Sequence, residues 1–137
     1  EPFAEHLAES KVVWIEPAWK MLMSNKAILP VVWDLHKGHP NLLEATLQQP
    51  ADATGWVRKP ILGREGNNVS LGRYATGGPY GTEGFVYQRD AGIQAMDGRY
   101  AVVGSWIIGQ QASGAGIRES VTPITDNLSR FVPHVMA

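Results

Sequence analysis

An α+β fold, helices first and a mostly antiparallel sheet after, is what the 137-residue sequence predicts. Three observations carry it. Apolar residues recur at helical spacing in the first part of the chain. From Gly55 onward, β-branched runs alternate with glycine-rich turns, and Asp97-Gly98 is a strong hairpin signal. No internal repeat or low-complexity tract divides the chain, so it is expected to form one unit, helical over about residues 1–54 and sheet-like over about 55–137.

The elements follow in order. Phe3 and Leu7 at helical spacing predict a short helix over Glu1 to Lys11. Val12-Val13-Trp14-Ile15 reads as a buried strand, ended by Glu16-Pro17 because a residue before proline avoids the helical region. Pro17 suits the first turn of a helix through Ala18, Trp19, Leu22 and Met23. Ser24-Asn25 reads as a break and cap before a second helix reaching about His36. Pro30 lacks an N–H, so this helix begins close to Asn25 or Lys26, or else it kinks. Asn41 to Thr54 reads as a loop with a short helical piece. Strands are expected at Trp56 to Leu62, Val69 to Leu71, Phe85 to Gln88, Tyr100 to Ile108 and Gly116 to Val121, with a glycine-rich turn region from Ala75 to Gly84. Arg130 to Val135 is extended and interrupted by Pro133.

Composition excludes several functions. The chain is 44% hydrophobic and 18% charged, the balance of a globular protein. Twelve Lys and Arg against thirteen Asp and Glu leave a net charge of −1, which argues against nucleic acid or an anionic membrane as partner. Without cysteine there is no disulfide, thiolate zinc site or cysteine nucleophile. No apolar run approaches the roughly 20 residues of a membrane helix, and no basic-then-apolar leader opens the chain. A cytoplasmic protein is expected. Glu1 stands where a complete chain would carry Met, so a piece of a longer protein is expected.

Three places carry candidate chemistry. In Trp56 to Val69, alternation puts Val57, Lys59 and Ile61 on one strand face, and an ammonium among apolar neighbours calls for an anion. Gly63 and Gly66 free the backbone to turn around a ligand, and Arg64 adds a forked donor suited to phosphate. The spacing is not that of a Walker loop, and a surface turn with solvated charges is the plain alternative. Lys26 at a helix start adds its charge to the positive end of the dipole, against the alternative of an exposed first-turn lysine. In Gly114-Ala115-Gly116-Ile117-Arg118-Glu119, Arg118 and Glu119 point to opposite faces, and the glycines leave room for a ligand. Arg118 there either stabilises charge on a transferring phosphoryl group or pairs with a carboxylate. His36 and His39 have a metal-ligand spacing, but Gly38 between them argues against a rigid helix. The tryptophans lie mostly on apolar faces and read as core.

These blocks, together with Glu16-Pro17-Ala18-Trp19-Lys20 and Ser24-Asn25-Lys26-Ala27-Ile28-Leu29-Pro30, resemble the C-terminal part of the glutathionylspermidine synthase family. Tyr87-Gln88, Gly104-Ser105-Trp106, Gly116-Ile117-Arg118-Glu119 and Arg130 to His134 continue the likeness in the family's order, so that it spans Glu16 to His134, closest to members lacking the N-terminal amidase. The resemblance implies an ATP-grasp fold and an ATP-dependent carboxylate–amine ligase working through an acyl phosphate, with ATP and small-molecule acid and amine as partners. It implies that Lys26 and Lys59 contact ATP, and that Arg64, Glu65 and Gly66 form the mobile loop over the phosphates. Gln88, Arg89, Asp90 and Ala91 match the linker that reads adenine. Arg118 matches the catalytic arginine facing the reacting groups, and Pro123, Ile124 and Thr125 a late segment beside the nucleotide. The family's magnesium ligands lie upstream of this segment, so Mg2+ is expected to be held by residues outside this chain. Glu119, Asp126 and Asn127 have no match among those ligands.

Two other functions compete. One is a non-enzymatic structural or self-associating domain that keeps the fold, a homodimer formed through an exposed sheet edge. The other is a carbohydrate- or peptide-binding β module, which requires tryptophans exposed on one face.

Overall fold

The computed structural model describes residues 5–7 and 9–135. A 3-10 helix, Ala18–Ser24, precedes helix α1, Ile28–Leu35. Among the described residues nine strands follow: β1 Ala45–Thr46, β2 Trp56–Pro60, β3 Ser70–Leu71, β4 Tyr74–Ala75, β5 Phe85–Arg89, β6 Ala95–Met96, β7 Arg99–Ile108, β8 Gln111–Ser120 and β9 Arg130–Val132. They form two antiparallel sheets, one of order β1-β5-β2-β3-β4 and one a simple meander, β6-β7-β8-β9. The architecture is α+β, as the sequence predicts.

Each sheet is set by local chemistry. In the first, β2 and β5 pair from Trp56 opposite Arg89 to Pro60 opposite Phe85. Val86 and Pro60 are fully buried there. Lacking an N–H, Pro60 can stand only at a strand end, and β2 stops there. In the second sheet, Asp97 and Gly98 both take positive φ (49° and 74°), the geometry of a type I′ turn. That turn matches the right-handed twist of its flanking strands, β6 and β7.

Two contacts join the sheets among the described residues. The Tyr74 and Tyr100 hydroxyls lie 3.3 Å apart with their rings edge to face. The segment after β8 folds back so that buried Ile124 and the Thr125 carbonyl abut Gly66.

Some expected elements differ. The Glu1 to Lys11 helix falls partly outside the described residues, and Glu5–Leu7 make only a tight turn. Val12 to Ile15 is not a strand: no described strand lies beside it to complete its hydrogen bonds, and Ile15 is 90% exposed. The Pro17 helix forms with 3-10 winding, Pro17 standing just before it. Helix α1 starts two residues beyond Lys26, with Pro30 buried in its first turn, where no intrahelical donor is required. No helix forms between Asn41 and Thr54; β1 forms instead, beside β5. Strand β8 begins five residues before the expected Gly116, because its Ala, Ser and Gly residues carry no β signal of their own. Pairing with β7 enforces it, through a register shift between Trp106 and Ile107.

Candidate functional site

A cleft of about 230 Å³ opens over the first sheet. Paired residues share a face, so Val57, Lys59, Leu71 and Gln88 project from the same side of β2, β3 and β5. All four line the cleft. Leu43, Val69 and Ile93 extend its apolar wall.

Lys59 is half-buried on this floor and donates from Nζ to the Gln88 side-chain oxygen at 2.8 Å. An amide oxygen accepts the ammonium's hydrogen without cancelling its charge. Burial holds Lys59 below the ordinary lysine value, and the charge of Lys26 lowers it further. Lys26 is itself lowered by burial. Lys26 is fixed at both ends: its amide donates to the Ile61 carbonyl at 2.9 Å, and its Nζ donates to the Gly63 carbonyl at 2.7 Å. The structure thus brings two lysines, 33 positions apart, within electrostatic reach. Both gain from an anion placed between them.

The loop from Gly63 to Asn68 is clipped in place. The Arg64 carbonyl accepts from the Asn67 amide at 3.0 Å. The Thr76 hydroxyl donates to the Gly66 carbonyl at 2.5 Å, and the Asn68 side-chain oxygen accepts from the Tyr80 amide at 3.0 Å. Gly66 has φ +70°, and a Cβ added there would stand 2.5 Å from the Thr125 carbonyl. Only glycine lets the loop lie this close to the late segment. Gly66 reaches the cleft, whereas Arg64 and Glu65 stand outside its lining, Glu65 with φ +59°.

The strand end Gln88–Ala91 also lines the cleft. Alternation turns the Arg89 guanidinium to the opposite face, where it lies 4.3 Å from the Trp56 ring and pairs with Glu44 at 3.2 Å. The Arg89 and Asp90 amides donate to the Glu44 and Gly55 carbonyls. These bonds hold the linker rigid at the rim. Pro123, Ile124 and Thr125 close the cleft opposite Gly66.

Of the thirteen expected site residues, nine line the cleft: Lys59, Gly66, the four of the linker and the three of the late segment. Lys26 is not part of the lining, but its charge acts on Lys59. Arg118 is not part of the lining. It lies on β8 opposite Val102 and Phe131, its guanidinium 5.9 Å from the Phe131 ring. It shares a sheet face with Tyr100, two pairs along, and so lies on the face that meets Tyr74. Among the described residues no three His, Asp or Glu side chains converge as a metal site. His39 accepts from the Asn41 amide through Nδ1.

Sequence reasoning missed the apolar wall at Leu43, Leu71 and Ile93. Val57 was legible, since strand alternation places it beside Lys59, whereas Leu71 joins them only through the pairing of β3 with β2. Leu43 and Ile93 lie outside any strand and carry no periodic signal.

Comparison with known proteins adds the family. The whole chain, residues 1–137, matches the family described as glutathionylspermidine synthase preATP-grasp. It is 42% identical over 146 aligned positions to a putative acid–amine ligase of Haemophilus influenzae. It is 39% identical to a trypanothione synthetase of Crithidia fasciculata, and 32% identical to the bifunctional glutathionylspermidine synthetase/amidase of Escherichia coli. These alignments cover 96%, 88% and 95% of the chain but 37%, 20% and 22% of those relatives' lengths.

Proposed function

The chain belongs to the glutathionylspermidine synthase family, and from that premise we propose that it is the nucleotide-binding part of an ATP-dependent acid–amine ligase. The observation that carries this reading is the coupling of Lys26 and Lys59 beside a cleft closed by Gly66.

In this reading the two ammonium groups hold the phosphates, and the Arg64–Gly66 loop covers them. The main chain of Gln88–Ala91 faces the base, between the apolar walls of Val57, Leu71 and Ile124. Arg118 stabilises charge as a carboxylate oxygen attacks the γ-phosphorus and ADP leaves. The resulting acyl phosphate is attacked by the amine at its carbonyl carbon, which forms the amide and releases phosphate. Magnesium would neutralise charge between the phosphates, but the described residues offer it no carboxylate cluster. The natural acid and amine belong to the whole enzyme.

Thermal denaturation with and without millimolar ATP tests the proposal. A ligand that binds only the folded chain must raise its stability. Wild-type chain is expected to gain several degrees and Lys59→Ala to gain none. No gain for wild type would remove the autonomous nucleotide site.

A second reading rests on a different observation. From Val12 to Met23, large apolar side chains stand exposed, among them Val13, Ile15, Trp19 and Leu22. Such a run marks an interaction surface. In a longer ligase it is covered by another part of the protein, and in the isolated chain it favours self-association. Mass measurement with and without ATP separates the readings: a dimer indifferent to nucleotide supports a purely structural role.

A further inference from the structure

A second groove, of about 410 Å³, opens over the other sheet, with Arg99, Glu119, Asp126 and Arg130 in its wall. Strand register explains the grouping. Glu119 pairs with Ala101 on one side and Arg130 on the other, and Arg99 lies two residues from Ala101. Arg99, Glu119 and Arg130 therefore share one face, a carboxylate between two guanidiniums. Arg118, Tyr100 and Phe131 alternate to the opposite face, so this groove is not the back of the cleft described above.

Its charges are not satisfied internally. Arg99, Glu119 and Arg130 enter no ion pair among the described residues, whereas pairs such as Lys20–Glu16 and Arg89–Glu44 do form elsewhere. One Asp126 oxygen accepts from the Leu128 amide at 2.9 Å and from the Ser129 hydroxyl at 3.3 Å, which fixes the carboxylate in place. The nearby hydroxyls are committed to the main chain: Ser120 donates to the Thr122 carbonyl, and Thr122 donates to the Ile124 carbonyl at 3.1 Å. What remains for a ligand is two forked cations, the Glu119 carboxylate and the second Asp126 oxygen.

A simple anion would meet Glu119 and Asp126, and a simple cation would meet the two arginines. A molecule with one charge of each sign satisfies both halves, since guanidinium forks suit a carboxylate and carboxylates accept an ammonium. The volume suits a ligand of dipeptide size. We propose that this groove binds the zwitterionic backbone of an amino acid or short peptide. The proposal does not depend on the nucleotide site and is tested without ATP.

The test is an amide-resolved NMR titration of the chain with glycylglycine, beside three analogues: N-acetylglycylglycine, glycylglycinamide and the doubly blocked N-acetylglycinamide. Saturable shifts are expected at Arg99, Arg130 and Glu119 to Asp126, weaker with either singly blocked analogue and absent with the neutral one. Arg130→Gln and Glu119→Gln should each weaken glycylglycine binding about tenfold. Absence of saturable shifts overturns the proposal, as does neutral-analogue binding equal to that of glycylglycine. The analogue series on the wild-type chain decides the matter even if a variant fails to fold.

Discussion

Across β2 and β5, the Lys59 ammonium donates to the Gln88 side-chain oxygen at 2.8 Å, a neutral partner for a half-buried charge. Desolvation of Lys59 and repulsion from Lys26 both oppose its charged form. Replacing Gln88 by Glu supplies the missing countercharge, so Gln88→Glu should stabilise the ligand-free chain by about 1 kcal/mol. The new carboxylate should also repel phosphate, so protection by ATP should shrink. Denaturant melts with and without nucleotide check both halves. Loss of protection without gain in the free chain would mean that Lys59 is already well satisfied.

The same two lysines set a pH dependence. Both have folded values below the ordinary 10.5. Between the lowered value and the unfolded one, the unfolded chain binds more protons, so this contribution to stability rises with pH there. Below the lowered value the lysines stay charged in the fold and their penalty is fully present. ATP acts in the opposite sense, because it needs the ammonium forms. Its protection should therefore fade as pH climbs through the lowered values, while the ligand-free chain gains from these two groups. Paired thermal scans from pH 7 to 10 would show the two trends diverging. Parallel curves would remove the lysines from the site.

Gly66 offers a structural test. Alanine at φ +70° is strained by itself, and its Cβ would sit 2.5 Å from a main-chain oxygen of Thr125, which is no flexible side-chain tip. Gly66→Ala should cost about 1–3 kcal/mol. Since Gly66 also lines the cleft, the variant should lose ATP protection beyond what its lower melting temperature explains. Gly72→Ala, also at positive φ but with open space around its Cβ, separates backbone strain from the clash.

Much of this was legible in the chain because it is local. Asp97-Gly98 encodes its own turn, and Pro60 dictates where β2 ends. Alternation alone put Val57 and Lys59 on one face, and both line the cleft. The family resemblance supplied what local rules lack, the association of Lys26, Gly66 and Ile124 across long stretches of sequence. Non-local features failed. Val12 to Ile15 has the residues of a buried strand, yet burial requires a neighbour that no local pattern can promise. Strand β8 looked too glycine-rich and small to extend ten residues until β7 supplied its partner. The zwitterion-patterned groove was equally hidden, since Arg99, Glu119 and Arg130 meet only through strand register.

Tyr74 and Tyr100 tie the cleft over the first sheet to the strand face carrying Arg118. Tyr74 sits on β4 opposite Leu71, a cleft residue, and Tyr100 sits on β7 two pairs from Arg118. Their hydroxyls are 3.3 Å apart, and Arg73 donates to Tyr74 at 3.0 Å. The hydrogen bond from Tyr100, then that from Arg73, lowers the Tyr74 phenol, while Tyr100 is raised by its bond to Tyr74. Tyr74 should therefore ionise first. Tyr74→Phe breaks both hydrogen bonds, whereas Tyr100→Phe leaves the Arg73 bond intact. Tyr74→Phe should thus be the more damaging single change, and the double variant should show a coupling of about 0.5–1 kcal/mol in denaturant melts. If the sheets are held mainly through Ile124 and Gly66 instead, the two substitutions will simply add.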